Sequence, residues 1–196
     1  MVAWIGVAGF IFYFFYDMNS VLWKNKILHA FFAVGCLCIL IATGITVSEV
    51  CLTGGISDIP DWVFLGAAVF FLAVLLYTLF FALPFEETYQ VQDAQRKVYD
   101  KGMYALCRHP GVLWFFLFYL CLGLACMPSD MLWQGMVYTV CNAAYVIFQD
   151  IWTFPRTFDT YGDYKKTTPF LIPNAKSIKR AFQTRKSIGR KQRDIR

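Results

Sequence analysis

Five stretches of this 196-residue chain carry no charged side chain and are apolar almost throughout: Val2 to Tyr16, Ile27 to Val47, Trp62 to Leu83, Gly111 to Met127 and Met131 to Phe148. Together they make up nearly half of the sequence. A soluble core is built from shorter, interrupted apolar segments, so this pattern points to a lipid environment. At about 1.5 Å per residue, a helix needs about 20 residues to cross a hydrocarbon layer of about 30 Å. The second and third stretches reach that length unaided, and the others reach it when flanking Trp and Tyr side chains anchor among the headgroups. Only 16% of residues are charged, against roughly 25% in soluble domains. The fold class that follows is an all-α integral membrane protein with about five transmembrane helices. The first stretch lacks a basic leader and a small-residue cleavage site, and the bulky run Phe12 to Tyr16 makes it a span, not a cleaved signal. Asp17 and Asn19 are read as ending that first helix.

The connecting segments assign sides. Lys24 and Lys26 follow the first span, and Arg96, Lys97, Lys101 and Arg108 follow the third. The segments after the second and fourth spans hold Glu49, Asp58, Asp61 and Asp130 with no cation. Cations on alternate loops predict an outside N-terminus, with the third loop and the C-terminal segment together in the cytoplasm. The formal net charge of +5 belongs to the end of the chain: residues 174–196 hold nine Lys/Arg and one acid, whereas residues 1–173 hold nine Lys/Arg and twelve acids. The chain therefore divides into a transmembrane domain, 1–173, and a basic cytoplasmic tail, 174–196. Within the tail Ile178, Ala181, Phe182 and Ile188 recur at helical spacing among cations, the pattern of a basic interfacial helix facing membrane lipids and not nucleic acid.

Seven cysteines show no Cys-x-x-Cys and no His at metal-ligand spacing, and five of them lie inside apolar runs, so they read as small hydrophobes and no metal is expected. Cys36-x-Cys38 is packing material, His29 an interfacial anchor, and the 20 Phe residues lipid-facing bulk.

Polar chemistry is confined to two segments on the expected cytoplasmic side, Glu86 to Pro110 and Gln149 to Pro173. In the first, alternation about Tyr89 to Tyr99 permits a short hairpin. Pro110 suits the first turn of a helix, where its missing N–H is unpaired anyway, so Arg108 and His109 stand at a helix entrance. A guanidinium, an imidazole and free helix N–H groups together can hold an anion; the plainer reading is an anchor to lipid phosphates.

The sequence Gly102-x-Tyr104-x-x-x-Arg108-His109-Pro110, then a helical hairpin, then Tyr161-x-x-Tyr164-x-x-x-x-Pro169-Phe170-x-x-Pro173 resembles the isoprenylcysteine carboxyl methyltransferase and phospholipid methyltransferase superfamily, over about residues 95–173. The resemblance implies a membrane methyltransferase whose S-adenosylmethionine enters from the cytoplasm and whose lipophilic acceptor, a prenylated cysteine or a lipid, arrives through the bilayer. It implies a cofactor region containing Gly102, Tyr104, Arg108, His109, Pro110, Tyr161 and Tyr164, with Arg108 on the cofactor carboxylate. An acid pair of the family falls on Gln149-Asp150 when counted from the closing prolines, which makes Asp150 the acid of the pocket, and on Phe154-Pro155 when counted from Tyr161-Gly162. The family's Tyr and Gly after Arg-His-Pro are replaced by Gly111 to Trp114. Membrane sterol reductases, which use NADPH, are similar in Arg108-His109, Tyr161-Gly162 and the Pro169 to Pro173 end, although their Asn-Tyr after Arg-His is missing here. A non-catalytic relative acting as a membrane partner is the third alternative.

Overall fold

The computed structural model describes residues 2–82 and 97–193, with side chains as far as Thr184. Among these residues every regular element is helical. In chain order they are α1 (Ala3–Met18), α2 (Ala30–Leu52), α3 (Ile59–Leu76), α4 (Met103–Leu106), α5 (Pro110–Ala125), α6 (Met131–Phe148), α7 (Phe154–Thr157), α8 (Tyr161–Thr167) and α9 (Ala175–Arg193). Wider π turns extend α1 over Asn19–Trp23, α3 over Tyr77–Phe81 and α6 over Gln149–Thr153.

Four of the resulting rods are long and apolar enough to cross a membrane: Ala3–Trp23, Ala30–Leu52, Ile59–Phe81 and Met131–Thr157. The fifth apolar helix, α5, has 16 residues, which gives about 24 Å, less than a full hydrocarbon layer. Large apolar side chains stand exposed along the rods, among them Trp62, Phe70 and Phe81 on the third. A surface of this kind suits lipid and is a liability in water. The suggested hairpin lies almost wholly outside the described residues, and Lys97 to Asp100 at its end are irregular.

The described residues form two compact units, Met1–Ala73 with Trp114–Thr153, and Val74–Leu113 with Phe154–Arg196. In the first, α1 and α2 lie antiparallel: Tyr16 meets His29 and Phe32, Tyr13 meets Phe32 and Cys36, and Gly9 meets Ile39. The crossing is close because Gly9 and Gly35 face each other; a Cβ on either would lie 2.7 Å from the other's carbonyl oxygen. Small residues let two helices approach in this way, which matters where lipid offers no hydrophobic drive to associate. α6 joins them through a polar chain in which Thr46 donates to Gln134 (2.7 Å), Gln134 to the Tyr138 hydroxyl (3.0 Å), and Tyr138 to the Ala3 carbonyl (3.2 Å).

The first helix does not end at Asp17 as the sequence reading has it. It runs on to Trp23 because both polar residues find partners inside the fold. Asn19, fully buried, accepts from Asn25 N–H and donates to the Asn25 carbonyl, each at 2.9 Å. Lys24, in the left-handed conformation, closes the turn with its N–H on Asn19 O. The second helix is displaced from its expected limits, starting at Ala30 and continuing to Leu52, so Glu49 lies in its last turn and not in a loop.

The Gly9–Gly35 crossing predicts that Gly9→Ala lowers the stability of the detergent-solubilised protein by about 1 to 3 kcal/mol, since backbone must yield. Gly44→Ala, where a Cβ meets nothing, is expected to be neutral or to stabilise by up to about 1 kcal/mol. Thermal unfolding followed by helical circular dichroism distinguishes the two; equal effects would remove the crossing as a constraint.

Candidate functional site

The second unit brings together the two motif segments that the sequence separates by a helical hairpin. Gly102 starts the first of them with φ +59° and ψ −123°, a conformation that a side chain disfavours. Its N–H donates to Thr184 Oγ1 at 3.1 Å, and one turn of helix, α4, follows. Cys107 is extended (φ −155°, ψ 165°), and Pro110 opens α5 as the sequence reading has it. On the other segment Thr168 is also extended (φ −122°, ψ 126°). The two extended stretches pair: Arg108 N–H donates to the Pro169 carbonyl at 2.9 Å and His109 N–H to the Phe170 carbonyl at 3.3 Å.

Side chains reinforce this junction. The Tyr164 hydroxyl donates to the Tyr104 carbonyl at 2.6 Å, and the Tyr104 hydroxyl to the Thr78 carbonyl at 3.1 Å, on the π turn. His109 is buried, parallel to the Phe154 ring (centroids 5.8 Å apart, 11°) and edge-on to Phe170 at 5.0 Å. The Arg108 guanidinium carbon lies 5.4 Å from the centroid of Phe170, within cation–π range. Phe154 also meets Tyr161, which packs on Tyr164. Gly102, Tyr104, Arg108, His109, Pro110, Tyr161 and Tyr164 thus belong to one cluster, to which Phe154, Phe170, Thr168 and Thr184 are added. Phe154 was legible only through the alternative count from Tyr161-Gly162, and Thr184 had no signal, being one hydroxyl in a basic tail.

The cluster has one cysteine among its described members, and burial pushes the Cys107 thiol up to about 11. Burial likewise raises Tyr164 above the ordinary tyrosine value, offset in part by the Arg180 and Arg108 charges. Both groups are neutral at physiological pH. Among its described residues the site therefore brings together a guanidinium, an aromatic wall and two tyrosine hydroxyls that are bonded to main-chain carbonyls, with Cys107 and Tyr164 both neutral.

Gln149 and Asp150 belong to the first unit, on the π turn after α6. Asp150 is buried. Gln149 Nε2 donates to the Tyr145 hydroxyl at 2.9 Å, and Thr153 Oγ1 donates to Asp17 Oδ2 at 3.3 Å. Asp17 also hydrogen-bonds Gln149 and Tyr145. The sequence reading missed Asp17, although an acid with apolar helix on both sides is itself a signal of a buried polar cluster. Among the described residues no group of three or more His, Cys, Asp or Glu is placed to hold a metal.

Comparison of the chain with protein-family models, with curated proteins and with solved structures finds no match.

The thiol gives a direct check of this packing. With a native pKa of about 11 against about 9 unperturbed, roughly one Cys107 in a thousand is thiolate at pH 8. Iodoacetamide at pH 8 should modify exposed Cys51 and spare Cys107 until the protein is unfolded. Because the pKa is raised, the stabilisation from the protonated thiol is complete below about pH 9 and is lost as pH rises through about 11. Equal alkylation of the two cysteines in the folded protein would contradict the buried placement.

Proposed function

We propose that this chain is an S-adenosylmethionine-dependent membrane methyltransferase acting on a lipophilic acceptor, as its resemblance to the isoprenylcysteine carboxyl methyltransferase and phospholipid methyltransferase superfamily implies. One observation carries the reading: the Arg-His-Pro segment and the closing Pro-Phe segment, which that resemblance requires to act together, are joined by two consecutive main-chain hydrogen bonds. In this reading the four apolar rods lie in the bilayer, with the N-terminus outside and the motif segments on the cytoplasmic side.

The residues of the second unit fit parts of the cofactor. A carboxylate suits the Arg108 guanidinium, which can hold it bidentately, and an adenine suits a wall of Phe154, Phe170 and Tyr161. When bound, the cofactor supplies an electrophilic methyl group on its sulfonium sulfur. The chain's task is then alignment and dryness: in-line methyl transfer needs little proton relay, and orientation alone is worth effective molarities of about 10^5 M or more. Arg108 fixes one end of the ligand, His109 is locked between two rings, and neutral Tyr164 holds the Tyr104 carbonyl so that the Gly102 to Arg108 segment keeps its path. An acceptor that is already a carboxylate or thiolate needs no base from the protein.

Binding of S-adenosylhomocysteine to detergent-solubilised protein tests the reading. We expect micromolar affinity, weakened by Arg108→Ala about 10- to 150-fold, equivalent to about 1.5 to 3 kcal/mol for a lost charge-assisted bond. Binding of NADPH instead would favour the reductase class, and binding of neither would favour a non-catalytic membrane partner. Undiminished binding in a folded Arg108→Ala protein would remove Arg108 from the site.

A further inference from the structure

The last helix, α9, is tied into its unit along one side. Asn174 and Ser177 cap it reciprocally: Ser177 N–H donates to Asn174 Oδ1 at 2.9 Å, and Asn174 N–H to Ser177 Oγ at 3.0 Å. Ser177 is buried, an Arg180 Nη donates to Thr168 Oγ1, and Thr184 Oγ1 accepts from Gly102 N–H. Residues 177, 180 and 184 share one side of a 3.6-residue helix. The opposite side carries Ile178, 41% exposed, and Phe182, 64% exposed, four residues apart and so one above the other, with exposed Lys179 beside them. Arg185 and Lys186 come next in the sequence.

An apolar ridge fringed by cations fits one kind of partner. Ile178 and Phe182 gain by leaving water, while nine cations against one acid over residues 174–196 seek negative charge. Nucleic acid supplies the charge but no apolar layer for the ridge, and a second copy of the helix would set like charges against each other. The boundary between anionic headgroups and acyl chains supplies both needs at once. We propose that α9 docks along an anionic lipid surface through Ile178, Phe182 and the cations beside them, while its other side holds Gly102 and Thr168 of the motif cluster. The helix is then a strut between bilayer and site. The proposal rests on the membrane reading above.

Hydrogen–deuterium exchange on the full chain in nanodiscs tests it, comparing phosphatidylcholine alone with phosphatidylcholine plus phosphatidylglycerol. We expect the amides of residues 178–193 to exchange about tenfold more slowly in the anionic discs at low salt, and the difference to vanish at high salt. Phe182→Asp with Ile178→Ser should abolish the difference while leaving amides 103–106 of α4 unchanged. Equal exchange in both lipids, or protection that survives the double substitution, would overturn the proposal. Protection that instead grows with protein concentration in either lipid would assign the ridge to a second copy and also overturn it. Failure of the chain to enter either disc with its apolar rods protected would overturn the membrane reading itself.

Discussion

Two main-chain hydrogen bonds, from Arg108 N–H to Pro169 O and from His109 N–H to Phe170 O, organise the second unit. Their donors lie just ahead of α5, where helix geometry leaves N–H groups without partners. Prolines prepare both sides of the junction. A residue that precedes proline is pushed out of the helical region toward extended backbone; His109 precedes Pro110, and Thr168, observed extended, precedes Pro169. Two short stretches that cannot be helical in an otherwise helical unit are thus left with main-chain groups to satisfy, and they satisfy each other. The aromatic packing of His109, the stacking of Arg108 on Phe170 and the Tyr164 bond to Tyr104 follow from that alignment.

The first unit is governed by the same accounting applied to side chains. Helices consume their own backbone groups, so in an apolar setting it is polar side chains that remain to be paired, and Asn19, Thr46, Gln134, Tyr138 and Asp17 each have a partner within the unit. Asn19 shows why the residue type matters: it must accept from and donate to the same Asn25 backbone, and an amide can do both. The Gly9–Gly35 crossing sets how closely the first two helices approach. Packing here depends on small residues and a few satisfied polar groups, as befits helices that lipid does not push together.

Much of the architecture was legible because apolar length and helical class are properties of composition and period. The apolar rods and the Pro110 start of α5 could be read from residue order, whereas Gly102, Tyr104, Arg108, His109, Tyr161 and Tyr164 were grouped only by the family resemblance. Helix ends were less legible. Asp17 and Asn19 look like terminators because free carboxylates and amides prefer water, and only the partners Thr153 and Asn25, supplied by other segments, reverse that preference. α5 shows the opposite effect: its apolar run extends to Met127, yet the helix stops at Ala125. The contribution of α9 was hidden for another reason. A basic amphipathic sequence announces a helix, but the use of Thr184 on Gly102 and of Arg180 on Thr168 depends on contacts between distant residues.

In the proposed function a cofactor is held at the junction of residues 97–113 with residues 154–184. Ultraviolet crosslinking of radiolabelled S-adenosylmethionine to the detergent-solubilised protein, followed by peptide mapping, examines that claim at the level of residues. Label is expected on peptides from both segments, with Tyr161 and Phe170 among the modified residues, and is expected to be lost when S-adenosylhomocysteine is added in excess. Label confined to residues outside both segments, or label that the competitor fails to displace, would contradict it.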